Sequence, residues 1–207
     1  MELKDYAARR IEKTSSTVIK KDWKYLILDW LIHNGDRVLD IGCASGKFAS
    51  VWLHKNIDYT GVDYNQAFID HCIAQWLSVK QYDASKDILP FPDHSFDFIY
   101  CAHVVEHLLT NEQIAFFQEI SRVLAPGGRL FLAAPTPYHW YFWDDETHQR
   151  PCTHGQLGFL ARNAWLQVIQ ARYSLVRYFS DSLQRFLRLP PLRWFLWEVY
   201  LIAQKDN

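Results

Sequence analysis

The chain of 207 residues, 49% hydrophobic and 22% charged, holds enough apolar material for one buried core, which excludes a disordered or fibrous protein. Cys43, Cys72, Cys101 and Cys152 stand apart with no C-x-x-C pair, which excludes a zinc ribbon or a disulfide framework and reads as reduced thiols used as small core residues. The net charge of −1 hides an asymmetry, since residues 1–149 carry 14 basic against 20 acidic side chains and residues 150–207 carry 8 against 3, so the C-terminal quarter is locally basic.

Residues 1–24 are dense in charge and lack an apolar run, and the apolar stretch at 194–203 is interrupted by Glu198. Neither a signal peptide nor a membrane-spanning helix is expected, and the expected compartment is the cytoplasm. Trp23, Leu26, Ile27, Trp30 and Leu31 recur at three- and four-residue spacing and predict an amphipathic helix that ends near Asn34 and Gly35. Residues 1–34 are therefore read as an arm and cap helix, and 35–207 as the main domain. Stretches 37–43, 59–64, 79–84, 96–102 and 128–135 read as strands, mostly continuous apolar runs of the kind buried parallel strands show. Helical patterns at 46–56, 65–77 and 112–124 fall between them, the last closed by Pro126, Gly127 and Gly128. This alternation predicts a doubly wound α/β fold with a mostly parallel sheet. Beyond residue 135 the pattern changes to a polar, aromatic, His-rich loop at 136–154, a helix at 155–170, a strand at 175–179, an apolar and basic insertion at 180–197, and a last strand at 198–205.

The run Asp40-Ile41-Gly42-Cys43-Ala44-Ser45-Gly46 puts glycines at a strand-to-helix turn, where a ligand can approach the backbone and the helix N-terminus. It is not a phosphate loop, because the spacing to Gly46-Lys47 is one residue short and Phe48 stands where a metal-binding hydroxyl belongs. Nor does it match the G-x-G-x-x-G of dinucleotide-binding proteins. This run, followed by Asp63 at the end of the next strand, by LPFPDHSFDFIY at 89–100 and by VLAPGGRLFLAAP at 123–135, resembles the class I S-adenosylmethionine-dependent methyltransferases, in particular the branch of the ubiquinone and menaquinone methyltransferases. Ala44 departs from the third glycine that many members carry.

The resemblance implies a Rossmann-like sheet of seven strands and S-adenosylmethionine as cofactor. By position it implies that Asp40 lies beneath the methionine portion, that Gly42, Cys43 and Gly46 admit the cofactor to the backbone, and that Asp63 accepts both ribose hydroxyls. It further places Tyr64 beside the adenine, Asp83 and Ala84 at its amino edge, and Cys101 at the cofactor end of the fourth strand. The alternative is that these acids only cap the helices that follow them.

Methyl transfer from a sulfonium is an in-line displacement, so a base is needed only when the acceptor must lose a proton. Cys101-Ala102-His103-Val104 replaces the Asp/Asn-Pro-Pro-aromatic clamp of exocyclic amine methylation, and an oxygen acceptor is favoured. His103, Glu106 and His107, spaced i, i+3, i+4, share one face if the segment is helical, and with His148 they make a candidate set for a divalent metal. Similar spacing, with Glu first, occurs in metal-assisted O-methyltransferases of ubiquinone precursors and small-RNA ends. Against this, Glu106-His107 also reads as a helix-start pair found in metal-free relatives.

The loop resembles a D-x-T-H-x-R-x-x-T pattern (Asp145, Thr147, His148, Arg150, Thr153) that borders the acceptor pocket in related methyltransferases. His148 and His107 are the candidate catalytic groups. His103, Tyr138, Trp140 and Arg150 are the candidate acceptor contacts, the aromatics as a stacking wall and the guanidinium as a clamp for a carboxylate or phosphate. The expected acceptor is a small-molecule, glycan or lipid-linked hydroxyl. RNA is disfavoured by the acidic first three quarters. A protein acceptor stays open, as does an inactive scaffold that binds the cofactor in support of a partner enzyme. In the insertion Leu183, Phe186 and Leu187 share a helical face beside Arg185, Arg188 and Arg193, with Pro190, Pro191 and Trp194 following. That composition fits a peripheral membrane contact or a pocket lid, and equally a dimer interface.

Overall fold

The computed structural model describes residues 23–175 and 196–207. Helix α1 (Trp23–Leu31) leads into strand β1 (Arg37–Ile41), followed by α2 (Lys47–Trp52), β2 (Asp58–Asp63), α3 (Gln66–Ala74) and β3 (Val79–Gln81). Then come β4 (Phe96–Ala102), α4 (Thr110–Val123), β5 (Leu124–Pro135), a single turn α5 (Trp140–Trp143), α6 (His154–Asn163), β6 (Leu166–Leu175) and β7 (Leu196–Lys205). The strands form one seven-stranded sheet in the order β3-β2-β1-β4-β5-β7-β6. β7 runs antiparallel to both its neighbours, and the other pairings are parallel. The expected α/β class and strand number are both present.

A sheet apolar on both faces must be covered on both. One layer gathers Ile99, Phe116, Phe117, Ile120 and Leu157 under α4 and α6; the other gathers Leu28, Leu31, Phe48, Phe98 and Phe131 under α1 and α2. α1 is also fastened by Arg129 of β5, whose guanidinium donates to Asp36 at 2.9 and 3.0 Å and to the Leu31 carbonyl. Its buried stripe keeps Leu31 and the partly buried Ile27 of the one expected from the sequence but not Leu26 and Trp30. Leu28, Leu31 and Ile32 are buried whereas Leu26 and Trp30 are 81% and 70% exposed, because two apolar stripes are available on this helix and packing chooses between them.

One boundary after residue 150 is corrected. The helix expected at 155–170 stops at Asn163 and β6 (Leu166–Leu175) follows it; of the strand expected at 175–179 only Leu175 falls among the described residues. Thr153 caps α6 by accepting from the Gln156 amide at 3.2 Å. Trp165 then takes the left-handed conformation (φ 60) that turns the chain into β6. A glycine or asparagine there would have announced the stop; tryptophan does not. Residues 176–179 and nearly all of the 180–197 insertion lie outside the described residues, as does the arm at 1–22. Among the described residues no helix is long and apolar enough to cross a membrane.

Candidate functional site

Parallel strands deliver their loops to one rim of the sheet, and in open α/β sheets that rim is where ligands bind. On it, β1 ends at Gly42, whose φ of +77 belongs to the left-handed region; a Cβ there would fall 2.5 Å from Val104 Cγ2. Gly46 (φ +72) is equally constrained, its absent Cβ lying 2.4 Å from Leu77 Cδ1. Backbone bonds lock the loop, with the Gly42 and Cys43 amides on the Val62 carbonyl at 2.8 and 3.1 Å and the Gly46 amide on the Cys43 carbonyl at 2.9 Å. Only glycine meets both demands.

Two buried carboxyls stand behind this loop. Asp63 Oδ2 accepts from the Ala44 amide and Oδ1 from the Asn65 amide, both at 2.9 Å. Burial raises its pKa and these amide donors oppose the rise. Each oxygen keeps a further lone pair for a diol. Asp40 accepts from the Tyr59 hydroxyl at 2.9 Å. Burial pushes it up to about 7, against that hydrogen bond and with the help of the Asp63 charge. Beside them Tyr64, Gln81, Asp83 and Asp87 line a cavity of about 320 Å³. Asp83 also organises its own turn, accepting from Ser85 Oγ at 2.6 Å and Lys86 Nζ at 2.9 Å. Gln81 and Asp87 were not anticipated; they belong to the rim because β3 ends at Gln81.

Other expected cofactor residues sit differently. The Cys43 side chain turns into the core, its Sγ 3.0 Å from where a Gly61 Cβ would stand. Cys101 is fully buried within β4. Ala84 is partly buried against the apolar layer beneath α4. All four cysteines are free and buried.

At the end of β4 the trio expected on one helical face divides. His103 is left-handed (φ 60), and only Val105–His107 form a 3₁₀ turn. His103 Nε2 lies 2.8 Å from Glu198 Oε1 on β7, and its Nδ1 is 3.4 Å from Glu106 Oε1. Burial lowers its pKa, but the two carboxylates that its ring faces outweigh that and bring it to about 9. Glu198 also takes Lys24 Nζ of α1 at 2.7 Å. Its burial is opposed by Lys24 and His103, which together hold its pKa at about 2.

His107 meets His148 instead, ring centroids 4.9 Å apart. His107 Nδ1 lies 3.1 Å from both the Thr147 carbonyl and Thr147 Oγ1, and His148 Nδ1 lies 2.8 Å from the Phe142 carbonyl. A carbonyl only accepts, so both rings carry their proton on Nδ1 and present an Nε2 lone pair. Glu106 is fully buried, and apart from the His103 ring 3.4 Å from Oε1 its carboxylate has no partner among the described residues. Ligand atoms of Glu106, His107 and His148 all fall within 4.8 Å of one another, without His103.

The loop motif builds this pocket. Asp145 Oδ1 accepts from Thr147 N at 2.9 Å and Oγ1 at 2.6 Å, which sets the Thr147 acceptors for His107. The His148 ring stacks on buried Phe142 at 4.9 Å, and its Nε2 is 3.8 Å from Asp145 Oδ2. The Gln149 and Arg150 amides donate to the Glu106 carbonyl at 2.8 and 3.0 Å, joining the loop to the 3₁₀ turn. Arg150 is exposed. Tyr138 packs edge-on against Tyr173 at 5.8 Å. The backbone of Trp140 opens α5, and its side chain is outside what is described.

A family model described as a methyltransferase domain matches residues 39–132. Over 117 residues the chain is 33% identical to a probable tRNA methyltransferase 9B of Mus musculus, covering 56% of this chain and 24% of that protein. Over 103 residues it is 28% identical to a ubiquinone biosynthesis O-methyltransferase of Coxiella burnetii, covering 48% of this chain and 43% of that one. The chain therefore spans less than half the length of these curated relatives. The crystal structure of a SAM-dependent methyltransferase from Archaeoglobus fulgidus matches with a TM-score of 0.70 and 21% identity, over 98% of this chain and 94% of that one, a likeness of fold.

Proposed function

We propose that the chain is a class I S-adenosylmethionine-dependent methyltransferase, a reading supported by the methyltransferase-domain match over residues 39–132, and that it methylates a hydroxyl oxygen of a small-molecule, glycan or lipid-linked acceptor. The observation that carries this reading is the meeting of His107, after β4, with His148, in the loop after β5, beside the buried Glu106 carboxylate, ligand atoms of all three within 4.8 Å of one another. When bound, S-adenosylmethionine would supply an electrophilic methyl group, and an acceptor hydroxyl that took it would have to give up its proton. His148 Nε2 is the proposed acceptor of that proton, with Asp145 at 3.8 Å stabilising the imidazolium. Asp63 is the proposed ribose ligand, Tyr64 and Asp83 the adenine contacts, and Gly42 and Gly46 the openings to the cofactor backbone.

A divalent cation suits the same donor set, because a buried carboxylate with an unpaired oxygen beside two imidazoles is what such an ion requires. When bound, the ion would acidify an acceptor hydroxyl; Glu106, His107 and His148 would hold it. The likeness to a probable tRNA methyltransferase favours a second reading, an RNA acceptor, against which stands the excess of acidic side chains in residues 1–149.

The test offers methyl-labelled cofactor with metabolite, glycan, lipid and RNA fractions of a cell extract. Label is expected in one of the first three, and label retained on RNA alone would overturn the assignment. Repeating the assay in chelator and restoring Mg²⁺ or Mn²⁺ separates the two roles of the cluster: full activity in chelator leaves His148 as base and eliminates the ion.

A further inference from the structure

Glu198 is a carboxylate at the start of the apolar run Val199 to Ala203, and it is 3% exposed. Burying a charge on a central strand is costly, and an apolar side chain of similar size would commonly serve stability as well or better. Its register explains why it matters where it is. Glu198 pairs with Pro135, the last residue of β5, so it lies level with the rim on which β4 and β5 end. There it takes hydrogen bonds from two elements distant in sequence, Lys24 of α1 at 2.7 Å and His103 at 2.8 Å. His103 carries the left-handed backbone that ends β4, and its amide is tied to the Ala133 carbonyl at 2.9 Å. Its side chain keeps about a third of its surface accessible, and its other nitrogen faces Glu106 at 3.4 Å. Lys24, Glu198, His103 and Glu106 thus form one chain from the cap helix to the candidate acceptor site.

We propose that Glu198 is a positioning residue for methyl transfer, holding the His103 ring against the acceptor site with the same carboxylate that docks the cap helix through Lys24. The inference rests on the reading that the end of β4 faces the acceptor. Its consequence is a coupling: when α1 is in place one carboxylate oxygen is shared between its lysine and the histidine, so displacement of the helix is felt at the acceptor contact. Glu198 itself need not touch acceptor or cofactor.

Three variants separate the two arms: Lys24→Met breaks only the helix arm, Glu198→Gln keeps an acceptor for His103 but loses the charge that holds Lys24, and Glu198→Leu removes both. The readouts are the ring N–H resonance of His103, amide exchange of residues 26–31, and calorimetric affinity for S-adenosylmethionine. Lys24→Met and Glu198→Gln should each accelerate exchange in α1 by about tenfold or more while the His103 resonance persists; Glu198→Leu should lose that resonance as well. Cofactor affinity should stay within about twofold in all three, and label transfer should fall about tenfold in kcat for Glu198→Leu and recover most of the way in Glu198→Gln. Unchanged α1 exchange in Lys24→Met, or a His103 resonance that survives in Glu198→Leu, would overturn the proposal. If Glu198→Leu does not fold, α1 exchange in Lys24→Met and Glu198→Gln still decides. The resonance and exchange measurements need no acceptor, so a failed acceptor assignment registers only in label transfer.

Discussion

The two halves of the functional rim are built from different materials. On the proposed cofactor side, the chain passes from Ile41 to Lys47 and from Asp63 to Gln66 in short turns whose shape comes from glycine conformations and backbone amides, with Asp63 held by the Ala44 and Asn65 N–H groups. On the proposed acceptor side, the shape comes from side chains distant in sequence: His107 against His148, His103 against Glu198, Lys24 against Glu198. Local backbone geometry leaves a signature in a short stretch of sequence; a meeting of distant side chains leaves none. The halves touch where the missing Gly42 Cβ would strike Val104.

That seam gives the largest expected effect. Gly42→Val should destabilise the fold by about 3 kcal/mol, from left-handed strain and overpacking together, and should abolish cofactor binding by calorimetry; a variant that binds normally would detach the loop from the cofactor. Next, His148→Ala should lower the rate of label transfer about a hundredfold while cofactor affinity holds within about twofold, so a matched loss of affinity would erase the division between the halves. Asp63→Ala should act in the opposite sense, weakening cofactor binding about tenfold, or about 1.4 kcal/mol, and an unchanged affinity would move the ribose contact elsewhere.

The smallest effect is a pH dependence of stability on the cofactor side. Asp40 has its pKa raised from 3.8 to about 7 by burial, opposed by Tyr59 and reinforced by Asp63. The folded state therefore binds this proton more tightly than the unfolded state does, and stability is lost as pH rises from about 4 to about 7. Melting of the cofactor-free protein should accordingly drop between pH 5 and pH 8, by up to about 1.4 kcal/mol per unit. Asp40→Asn should flatten that slope, and a slope unaltered in the variant would assign it to other groups.

From the sequence alone the βαβ alternation, the glycine turn and the acid at Asp63 are legible, since each follows from composition or spacing within one supersecondary unit. So is the cluster around Thr147 and His148, through the loop motif, together with its meeting with Glu106 and His107, which the expected metal set contained; that His103 stands outside the set is not. The trio fails because it presumes a helical spacing, whereas His103 is left-handed and only a 3₁₀ turn follows it. The inward turn of Cys43 and the full burial of Cys101 are likewise invisible, because a motif position states where the backbone runs and leaves the side chain's direction open.

What the sequence by itself determined is the fold class, the strand-to-helix turns that form the proposed cofactor cleft, and the residue types gathered after β4, all of them consequences of short-range periodicity and residue type. What the tertiary structure decided is which of two apolar stripes α1 buries, where α6 yields to β6 at Trp165, and which histidine meets which carboxylate. Each of these choices compares packing arrangements of nearly equal local energy, so it is settled by contacts such as Arg129 on Asp36, Glu198 on Lys24 and Phe142 on His148, which arise only once distant segments share one rim.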